Sequence, residues 1–248
     1  MPLKHFFQKH NRLAIAFSGG VDSAYLLYAA MQCGADVKAY FVRSAFQPQF
    51  ELEDAQKLAS QLGAKLEVLD VDVLCKEDIN ANPADRCYHC KKVLFEAISK
   101  AAVKDGYSLL IDGTNASDNS ADRPGMKALK ELSVRSPLRE CGLMKSEIRR
   151  LSKEAGLFTW DKPAYACLAT RIPTGEEITA HKLARTEKAE SYLASLGFLD
   201  FRVRSNGDVA KIQLKSPDFP RMAEHREAVF EELKRHYKEV TLDLEVRK

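Results

Sequence analysis

The chain has little charge imbalance, few cysteines and no long apolar run. Across 248 residues there are 38 Lys and Arg against 35 Asp and Glu, a formal net charge of +3. That excess argues against a dedicated nucleic-acid binder, although a local basic patch stays compatible with it. No stretch approaches the roughly 18 apolar residues of a membrane span. Residues 1–10 lack the apolar core and small-residue cleavage site of a secretory signal, so a cytoplasmic protein is expected. Six cysteines are too sparse for a disulfide scaffold, and their spacing is instead read for metal or catalysis. Neither the GxxxxGK[ST] loop nor GxGxxG occurs. With 29% charged and 45% apolar residues the composition is that of an ordinary globular protein.

What is present is an alternation of short apolar runs and amphipathic ones. Strand-like runs at residues 13–17, 37–42, 66–71 and 109–112 alternate with helical patterns starting near Asp22, over 49–62 and over 91–103. This order predicts a doubly wound α/β fold with a parallel sheet. Residues 113–124, "GTNASDNSADRP", read as a loop leaving the C-terminal edge of a strand, where open α/β sheets bind ligands. Beyond Pro173 and Gly175 the pattern changes to a helix over about 179–196, strands over 201–204 and 210–214, a helix over about 217–237 and a closing strand over 240–246. Two domains are expected, an α/β domain over 1–172 and a smaller α+β domain over 173–248.

Between the first strand and helix stands "SGGVDS". A glycine pair lets the backbone turn tightly and brings bare N–H groups toward a ligand, while the following helix adds the positive end of its dipole. Ser18, Gly19, Gly20 and Ser23 therefore form a candidate anion cradle. Asp22 is placed either to cap the helix or to hold Mg²⁺ beside phosphates. Without a P-loop lysine, such a cradle suits a pyrophosphate rather than transfer of the terminal phosphoryl group.

"SGGVDS" resembles the PP-loop of the ATP pyrophosphatases, which cleave ATP between its α and β phosphates. Four longer stretches, "NPADRCYHCKKVLF", "DGTNASDNSADRPGMKAL", "SPLRECGLMKSEIRRLSKEAGL" and "WDKPAYACLATRIPTGEEIT", are similar to the LarE family of sulfur transferases within that superfamily. The likeness covers nearly the whole chain. It implies an enzyme that binds ATP and Mg²⁺ and adenylates a carboxylate of pyridinium bis-carboxylic acid mononucleotide. Sulfur from sulfide or another donor then gives a thiocarboxylate, on the way to the nickel-pincer nucleotide cofactor of lactate racemase. A homo-oligomer with neither nucleic-acid nor membrane partner is also implied.

On this resemblance Cys167 matches the position that forms a thioester and, in sacrificial members, yields its own sulfur, with neighbouring Arg171 favouring the thiolate. Cys87 and Cys90 form C-x-x-C, and with Cys167 they make the three-cysteine set associated with a [4Fe–4S] sulfur carrier. A Zn²⁺ site with His89, a redox pair and chance spacing remain alternatives, as does core packing for Cys167. Cys33, Cys75 and Cys141 have no partner spacing. Arg202 and Arg204 lie at family-like positions for the substrate phosphate, against the plainer reading of two solvated charges on one strand face. The segment departs from the family in carrying Lys211 and Gln213 where an ending nearer "ARIE" is usual, which puts a metal role at 213 in doubt. Rival activities are a PP-loop tRNA thiolase and a non-catalytic nucleotide- or iron–sulfur-binding regulator.

Overall fold

A computed structural model describes residues 2–118 and 124–247. The chain divides into two compact units, Met1–Val73 with Asp85–Ala164, and Leu74–Ala84 with Tyr165–Lys248. The second unit thus takes in an early segment as well as the C-terminal part.

In the first unit helix α1 (Pro2–Lys9) leads into β1 (Arg12–Ala16), α2 (Val21–Gln32), β2 (Asp36–Arg43), α3 (Gln49–Leu62) and β3 (Lys65–Asp70). The short α4 (Glu77–Asn80) belongs to the second unit, and the chain then returns through α5 (Arg86–Lys104), β4 (Leu110–Asp112), α6 (Pro124–Glu131), α7 (Pro137–Glu140) and α8 (Lys145–Glu154). The sheet runs β3-β2-β1-β4, parallel throughout. Strand alternation sorts its side chains onto two faces. Leu13, Ile15, Val37, Ala39 and Phe41 pack with Leu26, Leu27, Leu58, Leu138 and Ile148 from one layer of helices. Ala14, Tyr40 and Val42 pack with Ile98 and Ala102 of α5. Burial on both faces is why β1, β2 and β4 read as continuous apolar runs rather than as alternating ones, while the edge strand β3 is only partly buried.

The expected α/β class is therefore observed, with local corrections. Helix α5 begins at Arg86, not near 91, because its first turn carries the polar Cys-x-x-Cys stretch rather than an apolar stripe. Of the loop read over 113–124, residues 119–123 lie outside the described residues, and Pro124 already opens α6. No helix among the described residues is long and apolar enough to cross a membrane.

In the second unit α9 (Ala180–Ser195) precedes β5 (Arg202–Asn206), β6 (Val209–Gln213), α10 (Phe219–Glu224), α11 (Arg226–Lys234) and β7 (Glu239–Leu242). The sheet order is β5-β6-β7, with β5 and β6 antiparallel and β6 and β7 parallel. Thr179 caps α9 by accepting from the Lys182 N–H. The single helix read over 217–237 is two helices preceded by a 3₁₀ turn, Ser216–Asp218. His225 separates them at φ −97°, ψ 5°, a bridge conformation that breaks the helical ladder while Met222, Val229 and Leu233 all reach the core. The closing strand stops at Leu242 rather than 246.

Candidate functional site

In the β3-β2-β1-β4 order, β2 lies on one side of β1 and β4 on the other. That makes the gap between β1 and β4 the topological switch point, where the loops leaving two parallel strands diverge to open a ligand crevice. The chain places "SGGVDS" after β1 and "GTNASD" after β4.

Gly19 has φ +72°, and a Cβ on it would stand 3.2 Å from the Ala55 nitrogen and the Glu51 carbonyl. Both the left-handed backbone and the lack of room require glycine there. Gly20 occupies the N-cap of α2, and no side chain caps that helix. The N–H groups of its first turn are thus left for an anion. Of the two roles open to Asp22, capping is not the one adopted. Ser18 and Ser23 join across the turn, with Oγ to Oγ 3.1 Å, the Ser18 N–H donating to Ser23 Oγ at 3.3 Å and Ser23 Oγ donating to the Gly20 carbonyl at 3.1 Å. These bonds hold the cradle's shape.

The second loop is pressed against the same helix end. A Cβ on Gly113 would lie 2.8 Å from the Ser23 nitrogen and 3.1 Å from its Cα. Asp112, buried at the end of β4, accepts from Thr114 Oγ1 at 2.5 Å and Ser136 Oγ at 2.6 Å. Asn115 accepts from the Ser117 N–H at 2.8 Å, and Ser117 Oγ accepts from the Lys145 N–H at 2.9 Å. Together these contacts bring Lys145, the first residue of α8, to the cradle, where its Nζ lies 2.6 Å from Asp22 Oδ2.

Asp22 Oδ1 is buried with no hydrogen-bond partner among the described residues. Burial raises the Asp22 pKa above its ordinary value, Lys145 opposes the rise, Asp118 adds to it, and the side chain of Asn115 opposes it more weakly. A buried carboxylate oxygen without a partner is costly unless a ligand satisfies it. This oxygen, beside an uncapped helix N-terminus, fits a hard divalent cation that accompanies phosphates.

In the second unit Arg171 is fully buried in the last residue of a 3₁₀ turn, Leu168–Arg171, that directly follows Cys167. Its Nε lies 2.6 Å from Glu190 Oε1, and its Nη1 donates to the Ala166 carbonyl at 3.1 Å. Glu190 also accepts from the Tyr165 hydroxyl at 2.6 Å and the Val203 N–H at 2.9 Å. Burial opposes the Arg171 charge, and Glu190 more than restores it. Arg171 thus ties the backbone just before Cys167 to the turn that follows it.

Arg204 Nε donates to Gln213 Oε1 at 3.0 Å, and its Nη1 donates to the Thr170 carbonyl. Gln213 in turn donates to Asp243 at 2.9 Å, and Lys211 Nζ lies 2.8 Å from the same carboxylate. The Arg202 side chain, on the same strand face, has no hydrogen-bond or ion-pair partner among the described residues, while its backbone lies opposite Gln213 in the ladder. Burial and then the repulsion of Arg247, Arg171 and Arg204 lower its pKa, and burial and Arg171 do likewise for Arg204. Glu190 opposes this only in part, and a half-buried guanidinium with more cations than carboxylates around it suits an anion.

Cys87 is exposed and Cys90 buried in the first turns of α5, in the first unit. Cys167 is half-buried in the second. Three thiols have the donor chemistry of an iron–sulfur cluster, but no group of three or more His, Cys, Asp or Glu suited to a metal is gathered among the described residues.

Sequence patterning did not single out Lys145 or Glu190. A signal existed for Glu190, since its spacing from Leu183, Thr186 and Leu193 puts it on the buried face of α9.

A family model described as queuosine biosynthesis protein QueC matches residues 12–86, the segment that holds the cradle. An uncharacterized protein of Synechocystis is 42% identical over 213 residues, covering 86% of this chain and 80% of its own. The pyridinium-3,5-bisthiocarboxylic acid mononucleotide synthase of Lactiplantibacillus plantarum is 36% identical over 205 residues, covering 82% of this chain and 74% of its own. The chain belongs to the LarE family. As a LarE-family member it is a sulfur-transferring enzyme with the PP-loop fold, which uses ATP and Mg²⁺. More distantly, the tRNA-specific 2-thiouridylase MnmA of Thermotoga maritima is 25% identical over 191 residues, 59% of this chain and 52% of its own.

Proposed function

We propose that the protein adenylates a carboxylate of pyridinium bis-carboxylic acid mononucleotide and then replaces the adenylate by sulfur, giving a thiocarboxylate for the nickel-pincer nucleotide cofactor of lactate racemase. The observation that carries the adenylation step is the uncapped start of α2 with the unpartnered Asp22 oxygen beside it. Backbone N–H groups of Gly19, Gly20 and the first turn hold the β and γ phosphates, with the Ser18 hydroxyl as a further donor and Ser23, whose own proton goes to the Gly20 carbonyl, holding the turn in shape. Asp22 would hold Mg²⁺, which would supply charge to neutralise the phosphates.

The chemistry requires activation because a carboxylate oxygen is a poor leaving group. Attack of that oxygen on the α phosphorus forms one P–O bond and breaks the bond to the bridging oxygen, whose electron pair leaves with pyrophosphate. The acyl carbon now carries AMP as its leaving group. A sulfur nucleophile adds there, and AMP departs with the former carboxylate oxygen.

The unpaired Arg202, with Arg204 beside it, is assigned to the phosphate of the mononucleotide, which fits the anion deficit of that strand face. Cys167 is assigned to sulfur delivery, with Arg171 as a positioning residue. A [4Fe–4S] cluster on Cys87, Cys90 and Cys167 would supply a renewable sulfide, whereas a sacrificial enzyme would use the Cys167 sulfur once. The sulfur donor is tested by iron content and absorption of anaerobically purified protein, together with mass spectrometry of the peptide that carries Cys167 after turnover. Dehydroalanine in stoichiometric yield from cluster-loaded enzyme overturns the carrier role of the cluster. Survival of Cys167 over many turnovers with added sulfide supports it.

The similarity to tRNA thiouridylases favours tRNA as the second acceptor to test. Pyrophosphate release stimulated by the mononucleotide and indifferent to tRNA supports the proposed acceptor. Stimulation by tRNA, with binding that weakens steeply as salt rises, reverses the assignment.

A further inference from the structure

Lys145 is placed against helix electrostatics. It is the first residue of α8, where the dipole presents its positive end and a cation is disfavoured. The structure nevertheless aims its ammonium at the cradle. The Lys145 N–H is tied to Ser117 Oγ at 2.9 Å, and Nζ meets Asp22 Oδ2 at 2.6 Å, both side chains being partly buried. The other Asp22 oxygen has no hydrogen-bond partner among the described residues. One carboxylate thus has one oxygen neutralised by a resident cation and one open, at the spot where the proposed function puts a metal ligand.

We propose that Lys145 is an exchangeable counter-cation of this seat. In the nucleotide-free enzyme its ammonium neutralises Asp22 and competes with a free divalent ion. When a metal–nucleotide complex enters, the metal takes the carboxylate and the ammonium turns to the phosphates. There it neutralises the charge that builds on the bridging oxygen as pyrophosphate departs. No proton transfer is required, because only the anionic partner of the Lys145 side chain changes. The exchange makes metal binding depend on nucleotide, so that neither cation is left facing the other without the phosphates between them. It rests on the adenylation reading for its second half and on the observed ion pair for its first.

The test measures Mn²⁺ binding by the loss of its free-ion electron spin resonance signal in nucleotide-free protein, and in parallel pyrophosphate release. Wild-type, Lys145→Met, Lys145→Arg and Asp22→Asn proteins are compared, each first confirmed as folded by circular dichroism. Removing the resident charge should tighten Mn²⁺ binding in Lys145→Met by about tenfold or more, as expected for losing a close cation in a partly buried site. Lys145→Arg should keep the weak binding of the wild type, and Asp22→Asn should abolish binding. Pyrophosphate release by Lys145→Met should fall on the order of 10²-fold, in kcat more than in the KM for ATP, with partial recovery in Lys145→Arg. Unchanged Mn²⁺ affinity in Lys145→Met overturns the exchange, and an unchanged rate overturns the role toward pyrophosphate. The Mn²⁺ comparison needs no turnover. A wild-type enzyme that released no pyrophosphate would therefore count against the adenylation reading, while the exchange is still judged.

Discussion

Replacing Gly113 by Ala perturbs the site through one backbone contact. The added Cβ would stand 2.8 Å from the Ser23 nitrogen, 3.1 Å from the Ser23 Cα and 3.2 Å from the Asp22 carbonyl carbon. All three atoms belong to the first turn of α2, and none can swing aside as a side chain would. Restoring ordinary contact moves the loop or the helix start by about 0.6 Å. Overpacking of this kind costs about 1–3 kcal/mol. At roughly 2–4 °C per kcal/mol for a domain of this size, that lowers Tm by about 2–12 °C. The rate should suffer more than the stability, because the displaced segments carry Asp22 and Asn115, and misplacement on the order of 1 Å commonly costs about 10²-fold. Gly20→Ala is the control for crowding, since its Cβ would meet only Ser18 Oγ, at 3.4 Å, leaving a loss of about 1 kcal/mol from the poorer N-cap. Thermal unfolding and pyrophosphate release are measured on both variants. Wild-type Tm and rate in Gly113→Ala would refute the tight approach of the two loops.

Asp22→Asn should lose pyrophosphate release by about 10²-fold or more yet melt no lower than wild type. The folded-state pKa of Asp22 is raised, so the folded protein gains from its protonation below the unfolded pKa and loses that gain as pH rises through the folded value. For the same reason the acid limb of the activity profile should lie above the ordinary carboxylate range and vanish in a variant lacking this group. Glu190→Ala should destabilise the second unit by about 3–5 kcal/mol in denaturant unfolding, because it strands the fully buried Arg171. Arg202→Ala should weaken binding of the mononucleotide more than that of ATP in separate titrations. It should leave Tm unchanged or higher, since it relieves repulsion with Arg247, Arg171 and Arg204.

Much of the first unit was legible because β1, β2 and β4 are buried on both faces and some of its helices show clear punctuation. Helix α3 spans Gln49–Leu62 with Gly63 in the left-handed conformation just beyond it, the usual stop signal. The cradle was legible for a similar reason, since Gly-Gly between a strand and a helix has few structural meanings. Helices α1, α6, α7 and α8 were not, as they are short or carry few apolar residues, and Pro137 in α7 reads equally well as a turn. Lys145 escaped notice because its role comes from a contact across 123 residues of sequence, which no local pattern encodes. The positions of Arg171 and Arg204 were legible, but not their partners. Glu190 and the Thr170 carbonyl engage them through tertiary packing.

The central claim is that ATP activates the substrate carboxylate at the α phosphorus. The direct measurement uses pyridinium bis-carboxylic acid mononucleotide carrying heavy oxygen in its carboxylates, with mass analysis of the nucleotide released alongside the thiocarboxylate. The account predicts AMP that has gained one heavy oxygen atom per sulfur transferred, together with one pyrophosphate. ADP with labelled phosphate, or AMP free of label, would contradict it.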